Sequence, residues 1–148
     1  MPRLRYALCL DVEAAATPSA RYGAVHEVVQ LGAVALDLET GAEVFAYSSF
    51  ARPVCAKKLP AALRALTGIE QSAVDAAPSF GSVWAELGAL MERAGLDAGN
   101  SVPFTFSTAD LELFVPSTAR VNGMPVDAYW WRYVDVQRAF GAYFGLSR

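Results

Sequence analysis

Two carboxylates close an apolar run near the start of the chain, where Tyr6-Ala7-Leu8-Cys9-Leu10 leads into Asp11-Val12-Glu13. A run that apolar predicts a strand buried on both faces. Strand side chains alternate, so Asp11 and Glu13 share one face, about 7 Å apart along the backbone. Carboxylates placed in this way can grip divalent cations between them, or can simply mark where the strand runs out into water. A third acid, Asp110, comes just after an apolar segment at 101–106, and Thr108 is placed to cap a helix beginning at Ala109. The helix dipole favours a carboxylate in the first turn, so the ordinary structural reading of Asp110 is helix-start stabilisation.

The elements that must position these acids follow from composition and patterning. A chain of 148 residues, 54% hydrophobic and 18% charged, describes one compact globular domain. Its net charge of −3 gives no general attraction for nucleic acid, so a phosphate-binding face must be local or bridged by metal. Cys9 and Cys55 make neither a disulfide framework nor a zinc site. No apolar run has membrane-spanning length and charges begin at Arg3, which speaks against membrane insertion and a signal peptide; an intracellular location, cytoplasmic or nuclear, is expected.

In chain order, a first strand spans 5–13, followed by a loop around Pro18 and Gly23. A second covers 25–37, with Gln30 its single polar interior residue. Asp37-Leu38-Glu39-Thr40-Gly41 then reads as a hairpin turn into a third, antiparallel strand at 42–52 that Pro53 closes. Pro60 opens a short helix with Leu59, Leu63 and Leu66 on one face and Gly68 at its end, and a second short helix covers 70–74. After Pro78, Phe80, Val83, Trp84, Leu87, Leu90, Met91 and Ala94 recur at helical spacing, and core packing accounts for them. A fourth strand at 101–106 precedes the helix from Ala109, and Pro116 and Asn122-Gly123 break the chain again. The aromatic segment 129–134 is a fifth strand or its approach, and Asp135 caps a last helix carrying Val136, Phe140, Tyr143 and Phe144. The fold class is α/β, a mixed sheet flanked by helices.

With these pieces in order, the sequence resembles the DEDDh 3′–5′ exonucleases, in particular the Eri1-like branch. Leu10-Asp11-Val12-Glu13-Ala14 is similar to the first exonuclease motif, and 27–34 to the strand that follows it, with Gln30 where a Glu usually stands. Phe50-Ala51-Arg52-Pro53, Leu66-Thr67-Gly68-Ile69, Val74-Asp75, Ala77-Pro78-Ser79-Phe80, Ala109-Asp110-Leu111 and Tyr133-Val134-Asp135-Val136 fall in the family's order. The resemblance implies a ribonuclease H-like five-stranded sheet, an antiparallel β1–β3 meander followed by β4 and β5. It also implies hydrolysis of phosphodiesters at a free 3′ end, RNA favoured, with two Mg²⁺ or Mn²⁺ ions. Asp11 would bridge the ions, Glu13 would hold the one carrying the attacking water, and Asp110 would hold the other. Ala14 and the segment Leu66, Thr67, Gly68 and Ile69 would meet the terminal nucleotides, with Ile69 or Leu66 wedging the bases apart. The segment's plainer role is a helix C-cap. Trp130 and Trp131 are aromatic enough to stack bases, or to fill core.

Two departures qualify the match. Ala15 stands where the family has a substrate-facing Thr. The family's third motif, a His followed five residues later by an Asp on the final helix, has no counterpart: the one histidine is His26, in the second strand. The chain is therefore expected to be a single domain incomplete at its C-terminus, lacking the last helix and impaired as a catalyst. The uncovered side would favour a homodimer. A catalytically inactive nucleic-acid-binding or protein-interaction module of the same fold is the alternative, and an internally cutting ribonuclease H-like enzyme a further one.

Overall fold

The computed structural model describes residues 3–146. Five strands form one sheet in the order β3-β2-β1-β4-β5. β1 (Tyr6–Ser19), β2 (Gly23–Asp37) and β3 (Glu43–Phe50) make an antiparallel meander, and β4 (Ser101–Thr105) and β5 (Val134–Asp135) add in parallel on the other side of β1. The expected mixed sheet is the one observed. The hairpin between β2 and β3 closes as its residues require: Gly41 has φ of 72° and donates its N–H to Asp37 O at 2.7 Å.

β1 is longer than expected. Instead of ending at Glu13, it continues through Ala14-Ala15-Ala16-Thr17-Pro18, paired with β2 as far as Ser19 opposite Gly23. The expected loop is strand because β2 supplies a partner all along it. Just after Glu13 the register slips: Glu13 faces Gln30 but Ala14 faces Val28, leaving Val29 as the extra residue of a bulge in β2. The bulge divides the core. Leu8, Leu10 and Val12 join Val28, Leu31 and Ala33 under the helices, whereas Ala15 and Val29 belong to a second cluster with Ala56, Leu59, Ile69 and Val74.

α1 (Ala61–Thr67) and α2 (Gln71–Asp75) lie over the second cluster, and α3 (Phe80–Arg93) over the first. α3 is capped by Ser79, whose Oγ accepts from Ser82 N, and it buries Phe80, Val83, Leu87 and Met91, as its spacing predicts. The expected Leu59–Leu63–Leu66 stripe is only partly right, since Leu66 is 83% exposed.

The helix after β4 departs from expectation at both ends. Thr108 provides no side-chain cap; the chain enters a π-helical turn at Asp110–Phe114 that runs directly into α4 (Val115–Asn122). Pro116 does not break it. Pro116 sits in the first turn of α4, where the wider preceding turn accommodates its missing N–H. Gly123, with φ of 64°, ends the helix.

The aromatic segment is an approach to a strand: a 3₁₀ turn at Ala128–Trp131 precedes the two residues of β5. Trp130 packs in the core 4.5 Å from Trp84, while Trp131 is 47% exposed. Trp130→Ala is expected to cost about 3 kcal/mol in urea unfolding, and Trp131→Ala less than about 0.5 kcal/mol. Asp135 caps α5 (Val136–Phe144) through Oδ1 and Arg138 N at 2.8 Å, as expected. α5 buries none of its residues, and Phe140, Tyr143 and Phe144 are exposed. Among the described residues no helix is long and apolar enough to cross a membrane.

Candidate active site

β1 and β4 run in parallel from Tyr6 opposite Ser101 to Cys9 opposite Phe104, and then separate. Beyond that point the β4 side of β1 is open, and Asp11 and Glu13 stand there, within the strand rather than at its end. Val12 points into the core, so alternation turns Asp11 and Glu13 the other way, Asp11 exposed and Glu13 half-buried. Beside Asp11 the sheet carries a groove of about 470 Å³ lined by Cys9, Gly32, Val34, Phe104 and Val136. A larger cavity of about 640 Å³ lies between α3 and the 128–131 turn, lined by Trp84, Met91, Tyr129 and Trp130. None of the three acids borders it, and charge rather than cavity size marks the site.

Asp110 is delivered from the other side of the gap. Its helix is pinned by Leu111 and Val115 in the core and by two α4 hydroxyls that meet β2: Ser117 Oγ accepts from His26 N at 2.9 Å and Thr118 Oγ1 from Val28 N at 2.8 Å. These bonds satisfy amides of β2 below its pairing with β3, which begins at Gln30. Asp110 is 5% exposed, and its Oδ2 has no hydrogen-bond partner among the described residues. Burial, and then the charges of Asp11 and Glu13, push its carboxyl up to about 7. Glu13 is raised as well, by burial and by Asp11. Three carboxylates thus repel one another across the gap, and among the described residues no cation offsets the rise of Glu13 or Asp110. An all-oxygen donor set with an orphaned buried oxygen suits a hard divalent cation. Among the described residues no three acidic, His or Cys groups already close around one point, so an ion would have to draw the side chains inward.

The other expected residues are distributed unevenly. Ala14 follows Glu13 at the bulge. Gly68, φ 73°, ends α1 by donating its N–H to Arg64 O, so the C-cap reading of this segment is correct. Thr67 Oγ1 donates to Leu63 O and accepts from Ile69 N. Ile69 is 4% exposed and packs beneath the segment, which leaves Leu66 as its exposed apolar side chain. His26 is paired opposite Ala16, its ring 5.7 Å from Phe114.

Glu27 was not anticipated. The interior of β2 holds this carboxylate, fully buried, rather than only Gln30. Its two oxygens accept from Val54 N, Cys55 N and Ala56 N at 2.6–2.8 Å. The available signal was a lone charge inside an apolar strand, which must find donors or leave the interior.

The model of the family described as "Exonuclease" (RNase_T) matches residues 8–147. The chain belongs to that family. It is 34% identical over 84 residues to "3'-5' exonuclease eri1" of Schizosaccharomyces pombe, covering 57% of this chain and 28% of that protein. It is 26% identical over 145 residues to "ERI1 exoribonuclease 3" of Homo sapiens, covering 97% of this chain and 42% of that one. It thus spans less than half the length of either relative. Among solved structures, "3'-end specific recognition of histone mRNA stem-loop by 3'-exonuclease" superposes with a TM-score of 0.88 at 21% identity, over 98% of this chain and 65% of the other. A nuclease domain described as a DEDDh family member bound to rAMP gives 0.86 at 20% identity, over 97% and 72%. Both curated relatives are named as Eri1-type exonucleases, and the chain is similar to them over 57% and 97% of its length.

Proposed function

We propose that the chain is a single exonuclease domain that hydrolyses phosphodiesters from the free 3′ end of single-stranded RNA, in preference to DNA. The observation that carries this reading is the buried Asp110, with an oxygen unpartnered among the described residues and a carboxyl raised by burial and then by Asp11 and Glu13. Two divalent cations, Mg²⁺ or Mn²⁺, would when bound supply the positive charge that meets the attacking and leaving oxygens of an in-line displacement. Asp11, Glu13 and Asp110 would hold them. Ala14 and the Leu66-Thr67-Gly68 turn receive the last nucleotides, Leu66 against a base and the backbone near Gly68 toward sugar or phosphate. The exoribonuclease names of the relatives support RNA. The site is expected inside the cell, in cytoplasm or nucleus, where free RNA ends are met. The exposed apolar residues of α5 support a homodimer, which sedimentation would detect.

His26 is the one histidine of the sequence, and its ring is engaged with Phe114. With no imidazole placed to take a proton from the attacking water, hydrolysis by this chain should be slower by about 10² to 10⁴ than with a general base in place. In Mn²⁺, a 5′-labelled RNA with a 3′-hydroxyl is expected to shorten slowly from its 3′ end, while a circular RNA of the same sequence stays intact. Equal cutting of the circle would overturn the reading. RNA binding that ignores Mn²⁺ and survives Asp11→Ala, with no shortening, would favour the inactive binding module.

A further inference from the structure

α1 buries none of its own residues fully, and its half-buried Leu63 packs against the second core cluster. The chain on either side adds the firmer anchors. Leu59 enters the second core cluster just before the helix and Ile69 just after, both against the cluster formed around Ala15, two residues beyond Glu13. The segment leading to Leu59 is in turn tied to β2 by Glu27. Its Oε1 accepts from Val54 N at 2.6 Å, and its Oε2 from Cys55 N at 2.8 Å and Ala56 N at 2.7 Å. Consecutive amides converging on an anion form the kind of concave turn that elsewhere holds phosphate. Here the chain's own carboxylate fills it. Charge-assisted bonds of this length are strong, and an interior carboxylate without them would be costly. Gln71 adds a second tie, accepting from Leu59 N at 2.8 Å and donating to Lys57 O at 3.3 Å.

We propose that Glu27 is a positioning residue for the 3′-terminal nucleotide: by fixing 54–56 it fixes the start of α1, and so holds Leu66-Thr67-Gly68 against the strand that carries Asp11 and Glu13. This rests on the reading of α1 as a substrate contact. A residue that served only to fill the core would not need three backbone donors, and its loss would not act selectively on α1.

Glu27→Gln keeps the side-chain size but sets an amide N–H₂ against backbone N–H groups. Hydrogen exchange at 54–68 is expected to speed up about tenfold or more, with α3 unchanged. The dissociation constant for a 3′-hydroxyl oligoribonucleotide in Mn²⁺ should rise about tenfold, while the Mn²⁺-induced rise in melting temperature is kept. Leu66→Ala should weaken binding in the parent chain but add little in the Glu27→Gln background, because both act through one contact. Gln71→Ala, at the half-buried second tie, should loosen the same amides and weaken binding about threefold; it decides the matter should Glu27→Gln fail to fold. Unchanged exchange at 54–68 in the variants that fold, or additive effects of Glu27→Gln and Leu66→Ala, would overturn the proposal alone. A parent chain that binds circular RNA as well as a 3′-hydroxyl RNA would instead overturn the reading of the site.

Discussion

Asp11→Ala is expected to remove Mn²⁺-dependent shortening of RNA by at least about 10³-fold, to background, with the fold intact. Asp11 is exposed on β1 and packs into neither core cluster, so its removal opens no cavity. The change acts through charge. In the parent chain Asp11 raises both Glu13 and Asp110, and without it each of them is relieved. The metal-free variant should therefore be as stable as the parent or slightly more so, while losing most of its melting-temperature response to Mn²⁺. That pairing separates a metal ligand from a structural acid, whose removal would lower stability and leave the ion's effect in place. Release of 3′ nucleotides and thermal unfolding with and without Mn²⁺ are the two measurements. Loss of activity with an unchanged Mn²⁺ response would take Asp11 out of the metal site.

The parts of this site that were legible in the sequence are those set by local periodicity. Alternation alone puts Asp11 and Glu13 on one side of Val12, and the helical spacing after Pro78 identifies the face of α3. The hairpin at Gly41 is also local, because a positive φ there nearly requires glycine. The parts that were not legible depend on partners far along the chain. Ala14 to Pro18 carries weak strand signals and becomes strand only because β2 lies alongside it. The bulge at Val29 is a property of the pairing, and neither strand states it alone. Glu27 bonds backbone amides 27 to 29 residues later, and amides leave no mark in a sequence of side chains. Pro116 misled for a related reason. A proline forbids a helix interior but suits a first turn, and which of the two it occupied depended on where α4 began.

Without divalent cations, the melting temperature should fall as pH rises from about 5 to 8, and Mn²⁺ or Mg²⁺ should cancel most of that fall. The folded chain raises the Asp110 carboxyl from its ordinary 3.8 to about 7, so between those values the folded state holds a proton that the unfolded state has released. Stability then decreases with pH: the contribution is fully present below about pH 4 and is lost as pH passes through about 7. At about 1.4 kcal/mol per pH unit, the ceiling is about 4 kcal/mol, or roughly 8–16 °C for a chain of this size. Glu13, raised by burial and by Asp11, works in the same direction. Asp37 works oppositely, since Glu39 N and Arg5 hold it below its ordinary value, but its contribution is lost only under acid conditions, below the window in question. A cation that binds the ionised carboxylates turns the cost of their mutual repulsion into binding, so the gap between metal-loaded and metal-free melting temperatures should widen as pH rises. Asp110→Asn should flatten the metal-free profile and shrink the metal-dependent gap together. A profile that stays steep in Asp110→Asn would assign the pH dependence to other groups and remove the main electrostatic support for a cation site at this turn.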